Sequence, residues 1–92
     1  MHKPERKRRQ RVLKGAAILR TINDSEIRCT VRNMTKDGAE LRIDSDIGIP
    51  VNFLLYVPVD GLAYKAVMLW RAGDRLGVKF TGTEPKPGWH YG

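Results

Sequence analysis

The sequence predicts an all-β fold, a small six-stranded antiparallel β-barrel with a basic N-terminal arm and an irregular C-terminal tail. Three observations carry this. Apolar and polar residues alternate with period two through most of the body, the mark of strands with one face in a core and one in water. Turn-forming residues separate the alternating runs, and the links are short, which forces antiparallel neighbours. No stretch shows the apolar spacing of a helix. At 92 residues the chain holds one domain, with 41% hydrophobic and 29% charged residues, an ordinary globular balance.

In chain order, residues 1–10 contain no apolar residue after Met1, and Pro4 discourages a helix, so they form a flexible arm. Residues 11–81 form the barrel domain. Its first strand is a short run over residues 16–21, and Asn23-Asp24-Ser25 makes the turn after it. In the second strand Ile27, Cys29 and Val31 alternate with Arg28, Thr30 and Arg32. Lys36-Asp37-Gly38 follows as a tight turn with a positive φ expected at its glycine. Ala39, Leu41 and Ile43 form the inward face of the third strand, and residues 44–50 a longer connection. Residues 51–57 place Phe53, Leu55 and Val57 on one face. Pro58-Val59-Asp60-Gly61 turns the chain into a fifth strand over 64–71, and Ala72-Gly73-Asp74 into a sixth with Leu76, Val78 and Phe80 inward. Six short strands close most easily into a small barrel. Ile27, Val31, Leu41, Ile43, Phe53, Leu55, Val78 and Phe80 are its expected core. Trp70 and Phe80, at strand ends, are expected to pack in the core or at the rim. The tail, residues 82–92, is rich in proline and glycine and is expected to be irregular. Its Trp89 and Tyr91 dock on the body, meet a partner or stay free.

Charge is distributed unevenly. The chain carries 17 basic and 10 acidic side chains. Residues 1–20 hold eight basic residues against Glu5 alone, and the other 72 hold nine of each sign. A neutral body therefore carries one cationic segment, which calls for an anionic partner such as phosphate, nucleic acid or an acidic lipid surface. One cysteine excludes an internal disulfide and a multi-cysteine zinc site. No apolar run approaches the ~20 residues of a membrane-spanning helix. The first residues have no signal-peptide pattern, which gives a cytoplasmic expectation.

Catalysis finds no support. His2 and His90 lie in the two ends, where nothing holds a general base within reach of its proton. Cys29, between Ile27 and Val31 on an inward face, reads as a buried apolar residue. Asp44 and Asp46 are too few to ligate calcium. The expectation is a binding protein, not an enzyme, with no metal and no cofactor.

Two motifs carry a resemblance. The arm runs Glu5-Arg6-Lys7-Arg8-Arg9-Gln10-Arg11-Val12 into the first strand, and Asn33-Met34-Thr35-Lys36-Asp37-Gly38 joins two alternating strands. This resembles the PilZ domain family, bacterial receptors for cyclic di-GMP, whose pattern is Arg-x-x-x-Arg in an N-terminal loop and Asp/Asn-x-Ser-x-x-Gly at a later strand-to-strand turn. Leu69-Trp70-Arg71 followed by Leu76-Gly77-Val78-Lys79-Phe80 is similar to the family's closing strands, so the resemblance spans roughly residues 5–81. It implies a six-stranded antiparallel barrel and a cyclic di-GMP site at Lys7, Arg8, Arg11, Asn33, Thr35 and Gly38, with Arg6 and Arg9 close enough to contribute. It also implies a ligand often bound as a stacked dimer. Lys7 stands where the pattern has arginine, replacing a planar fork by a point charge. Thr35 stands where it has serine and keeps the hydroxyl.

The chemistry suits such a ligand. Arginine pairs with phosphate oxygens and with the guanine O6/N7 edge. A cationic arm that orders over a dinucleotide changes shape on binding, and a downstream protein partner can read that change. Two other readings remain open at this point: a degenerate barrel of the same kind that serves only as a protein-interaction adaptor, and a small nucleic-acid-binding barrel. Against the latter, the outward strand positions are mostly Arg, Thr, Glu, Asn and Lys, with few aromatic side chains for bases to stack on.

Overall fold

The computed structural model describes residues 10–19, 26–44 and 48–85. They form six strands: β1 (Gln10–Leu19), β2 (Ile27–Thr35), β3 (Gly38–Ile43), β4 (Asn52–Val57), β5 (Leu62–Ala72) and β6 (Arg75–Pro85). A 3-10 turn, Pro58–Asp60, links β4 to β5. All neighbours are antiparallel, and the order β1-β2-β3-β6-β5-β4 closes on itself. Closure comes from three residue pairs, Ala17 with Tyr56, Ile18 with Leu55 and Leu19 with Leu54. The expected six-stranded antiparallel barrel is the fold. Among the described residues no helix is long and apolar enough to cross a membrane.

Strand limits differ from the sequence reading at both ends. β1 starts at Gln10 rather than at 16, because β2 is long enough to pair with it as far as Met34. The last residue assigned to the arm is thus in the sheet. β6 continues past 81 to Pro85, pairing Gly82 to Pro85 with Lys65 to Leu62. The turn at 23–25 lies outside the described residues, as do Asp46, the arm over 1–9, and His90, Trp89 and Tyr91 of the tail.

The barrel interior is filled from every strand. Ile18, Val31, Leu41, Ile43, Leu55, Val57 and Leu76 are the largest fully buried side chains, with Ile27, Cys29, Phe53, Ala66 and Val78 beside them. Burial of a side chain of this size contributes about 1.5–3 kcal/mol before entropy. Seven of the eight expected core residues are buried. The eighth, Phe80, is half-buried against that core and stacks on Tyr64 with ring centroids 4.6 Å apart.

Four register shifts interrupt the ladders. β1 carries an extra residue between Arg11 and Lys14, and β2 carries one at Arg32, between the pairs Val31–Leu41 and Asn33–Glu40. β5 carries one at Leu69, between the pairs Met68–Val78 and Trp70–Gly77, and β6 one at Thr81. A bulged residue leaves the pairing, and the strand beyond it resumes with inside and outside exchanged relative to simple alternation. After Arg32, Asn33 therefore faces out and Met34 packs against the core. After Leu69, Trp70 faces out.

Candidate functional site

The β2–β3 hairpin carries the three barrel residues of the second motif. Thr35 pairs with Gly38, leaving Lys36 and Asp37 as a two-residue turn. The Thr35 Oγ1 accepts a hydrogen bond from the Asp37 N–H at 3.0 Å, which braces the turn from inside. The Asp37 carbonyl accepts from the Phe80 N–H at 2.8 Å and ties the tip to β6. Gly38 does not take the positive φ expected of it. Among the described residues only Gly61 and Gly73 do. Gly38 is required for another reason: a Cβ there would collide with the Val78 carbonyl across the β3–β6 ladder.

Asn33 is held on the outer face. Its Nδ2 donates to the Glu40 Oε1 at 3.0 Å, and the Glu40 Oε2 pairs with the Arg75 Nη1 at 3.0 Å. The Glu40 side chain is only 14% exposed, so the carboxylate is a sheltered link between the motif and β6. Arg11 lies opposite Asn33 in the β1–β2 register. The structure thus gathers Asn33, Thr35 and Gly38 on one hairpin and brings the backbone of Arg11 beside it. Arg6, Lys7, Arg8 and Arg9 lie outside the described residues.

The register continues across the sheet. Arg11, Asn33, Glu40, Gly77 and Trp70 form one row over β1, β2, β3, β6 and β5. Trp70 is not the packing residue that the sequence suggests: it is 46% exposed on the outer face. Its indole occupies the space that a side chain at Gly77 would need. A shallow concavity of about 340 Å³ lies here, reaching from Thr35 and Gly38 past Glu40 to Leu69, Trp70 and Lys79. Trp70, Gly77 and Glu40 are residues of this candidate site that sequence reasoning missed. The signal was present: two large apolar residues in succession, Leu69-Trp70, break a strict alternation, and a glycine interrupts Leu76 and Val78.

A second concavity, of about 430 Å³, opens at the barrel mouth beyond the hairpin, between Lys14, Met34, Asp60 and Tyr64. The Lys14 ammonium lies 2.9 and 3.2 Å from the two Asp60 carboxylate oxygens, and the Tyr64 hydroxyl donates to Asp60 at 2.6 Å. Burial raises the Asp60 pKa, but the Tyr64 and Lys14 hydrogen bonds and the Lys14 charge outweigh it, leaving the carboxyl below its usual value. Burial and then the bond to Asp60 push Tyr64 up to about 12. This triad fixes β1, just past its bulge, to the 3-10 turn and β5.

Among the described residues no cluster of three or more His, Cys, Asp or Glu could hold a metal ion. Burial pushes the Cys29 thiol up to about 12, so at neutral pH it carries a proton and no nucleophilic charge. No family model matches the chain, and no curated protein matches it significantly.

Proposed function

We propose that the protein is a cyclic di-GMP receptor of the PilZ type. In this reading the cationic arm closes over the outer face of the β2–β3 hairpin. The observation that carries it is the pairing of Arg11 with Asn33. The arm joins the barrel at the hairpin that bears Asn-x-Thr-x-x-Gly, beside an exposed tryptophan and a concave surface. Lys7, Arg8 and Arg11, with Arg6 and Arg9 in support, supply cations for the two phosphates and donors for the guanine edges. Thr35 and Gly38 shape the barrel side, and Trp70 offers an apolar flat surface to a base. Ordering of the arm is the signal passed to a protein partner.

Calorimetric titration with cyclic di-GMP tests this. A charge-assisted contact is worth roughly 1.5–3 kcal/mol, so Arg11→Ala weakens binding about ten- to a hundredfold while the barrel stays folded. Lys7→Arg restores the guanidinium and tightens binding. Absence of binding at millimolar ligand in the wild type and in Lys7→Arg overturns the sensor reading. The adaptor reading then takes its place, favoured by the exposure of Leu69 (62%) beside Trp70. A parallel titration with a random single-stranded oligonucleotide tests for nucleic-acid binding.

A further inference from the structure

Asn33 and Glu40 stand opposite each other on β2 and β3, and the bond between their side chains fixes which atom Asn33 turns outward. The Asn33 Nδ2 donates to the Glu40 Oε1 at 3.0 Å, and the Glu40 Oε2 accepts from the Arg75 Nη1 at 3.0 Å. A carboxylate accepts and does not donate, so only the amino end of the amide can face it. Arg75 holds the carboxylate from its other oxygen with a full charge. At 14% exposure the Glu40 side chain has little water to take in place of these partners. The amide carries its two polar atoms on either side of Cγ, so Oδ1 is turned away from Glu40. Among the described residues nothing donates to that oxygen.

We propose that Glu40 is a positioning residue that makes Asn33 an acceptor only, and that this acceptor selects guanine over adenine in the cyclic dinucleotide. The selectivity rests on the receptor reading above; the orientation of the amide does not. An asparagine free to present both atoms pairs bidentately with adenine, accepting from N6 and donating to N7. Glu40 removes the donating half of that pair. The remaining acceptor suits guanine, whose N1–H and N2 amino group are two adjacent donors. On adenine the N6 amino group stands beside N1, a second acceptor, which leaves two lone pairs facing each other. Glu40 lines the concavity that also holds Trp70, so the oriented amide stands at the edge of the surface offered to a base.

Replacing the carboxylate by its neutral isostere reverses the amide. In Glu40→Gln the single carbonyl oxygen goes to Arg75, which can only donate, and the new amino group faces Asn33. Asn33 then turns Oδ1 inward to accept and Nδ2 outward, so the site offers a donor where the wild type offers an acceptor. Asn33→Asp in that same chain corrects this. One of its oxygens accepts from the new amino group, the other faces out as an acceptor, and the charge of the pair is restored. Asn33→Asp alone sets two carboxylates against each other across the ladder. Each substitution is thus harmful by itself and tolerated with the other.

The test is calorimetric titration of wild type, Glu40→Gln, Asn33→Asp and the double variant with cyclic di-GMP and with cyclic di-AMP, alongside urea midpoints of the same four chains. Wild type is expected to bind cyclic di-GMP the tighter. In Glu40→Gln the ratio of the two affinities should fall about tenfold, and in the double variant it should return to the wild-type value. In urea, Asn33→Asp should lower the midpoint of the wild-type chain and not that of Glu40→Gln. A merely structural role for Glu40 weakens both nucleotides alike. Equal losses in Glu40→Gln, no rescue by Asn33→Asp, or a wild type that favours cyclic di-AMP overturns the selectivity. Equal midpoint shifts for Asn33→Asp in the two backgrounds overturn the amide orientation. Wild type that binds neither nucleotide overturns the selectivity together with the receptor reading, and the urea cycle then decides the orientation by itself.

Discussion

Trp70 and Gly77 stand opposite each other on β5 and β6, and the indole lies where a side chain at 77 would have to go. The glycine is therefore part of the tryptophan's seat. Gly77→Val is expected to push the indole off the sheet, at a cost of about 1–3 kcal/mol in stability. With Trp89→Phe as background, Trp70 emission should shift to the red and cyclic di-GMP affinity should drop about tenfold. Wild-type affinity in Gly77→Val would take Trp70 out of the proposed ligand site.

At Gly38 the conflict is with backbone. The Val78 carbonyl cannot swing aside as a side chain can, because it belongs to the β3–β6 ladder. Gly38→Ala should lower stability in urea by about 1–3 kcal/mol. Gly48→Ala, with nothing within 4 Å of its added methyl group, should stay within about 0.5 kcal/mol of wild type. Equal midpoints for the two variants would contradict the steric account.

The Asp60–Tyr64 bond makes two signed predictions about pH. Asp60 titrates lower in the folded than in the unfolded state, so its contribution is present above the unfolded value of about 3.8 and is lost as pH falls through the lowered folded value. Tyr64 titrates higher when folded. Its contribution is complete below about 10, the ordinary tyrosine value, and disappears as pH rises toward about 12. Tyr64→Phe should remove the alkaline loss assigned to this residue and shrink the acid one, since Asp60 keeps only Lys14. Urea midpoints measured across both windows provide the check. An alkaline limb identical in wild type and Tyr64→Phe would show that the phenol does not carry it.

Cys29 should be silent toward alkylating reagents in the native protein, being buried and protonated. Reaction should proceed only at the rate of opening and should speed up steeply with urea. Stoichiometric labelling of the folded barrel within seconds would place the thiol elsewhere than in the core.

Much of the barrel was legible because a side-chain period of two is the simplest pattern a half-buried strand can show. Ile27, Cys29, Val31, Leu41 and Ile43 follow it without interruption and are all buried. The site was legible only in part, because its geometry begins where that period fails. Counting inward positions from Tyr64 through Ala66 and Met68 sends Trp70 into the core, and the bulge at Leu69 turns it out. Counting from Ile27 sends Asn33 inward, and the bulge at Arg32 turns it to the surface. A bulge is settled by the register against the neighbouring strand, which alternation along one strand does not report. Gly38 was singled out for a local reason, a turn dihedral that it does not adopt. The actual constraint is a close approach by β6, forty residues further along the chain.

The bulges also bear on which deletions the chain could survive. Removing Leu69 leaves Met68 facing Val78 and Trp70 facing Gly77, now as consecutive pairs, with every other side chain on its present face. Removing Thr81 does the same for Ala66–Phe80 and Lys65–Gly82, whereas Arg32 also stands opposite the extra residue of β1, so its loss would deepen the mismatch there. At a regularly paired position such as Leu41 or Leu55, by contrast, losing one residue inverts everything downstream until a turn absorbs the slip. A codon-by-codon deletion scan would then show isolated tolerant positions at 69 and 81 inside otherwise intolerant strands. The strand interiors, and not only the loops, would hold the slack through which the length of this chain can drift.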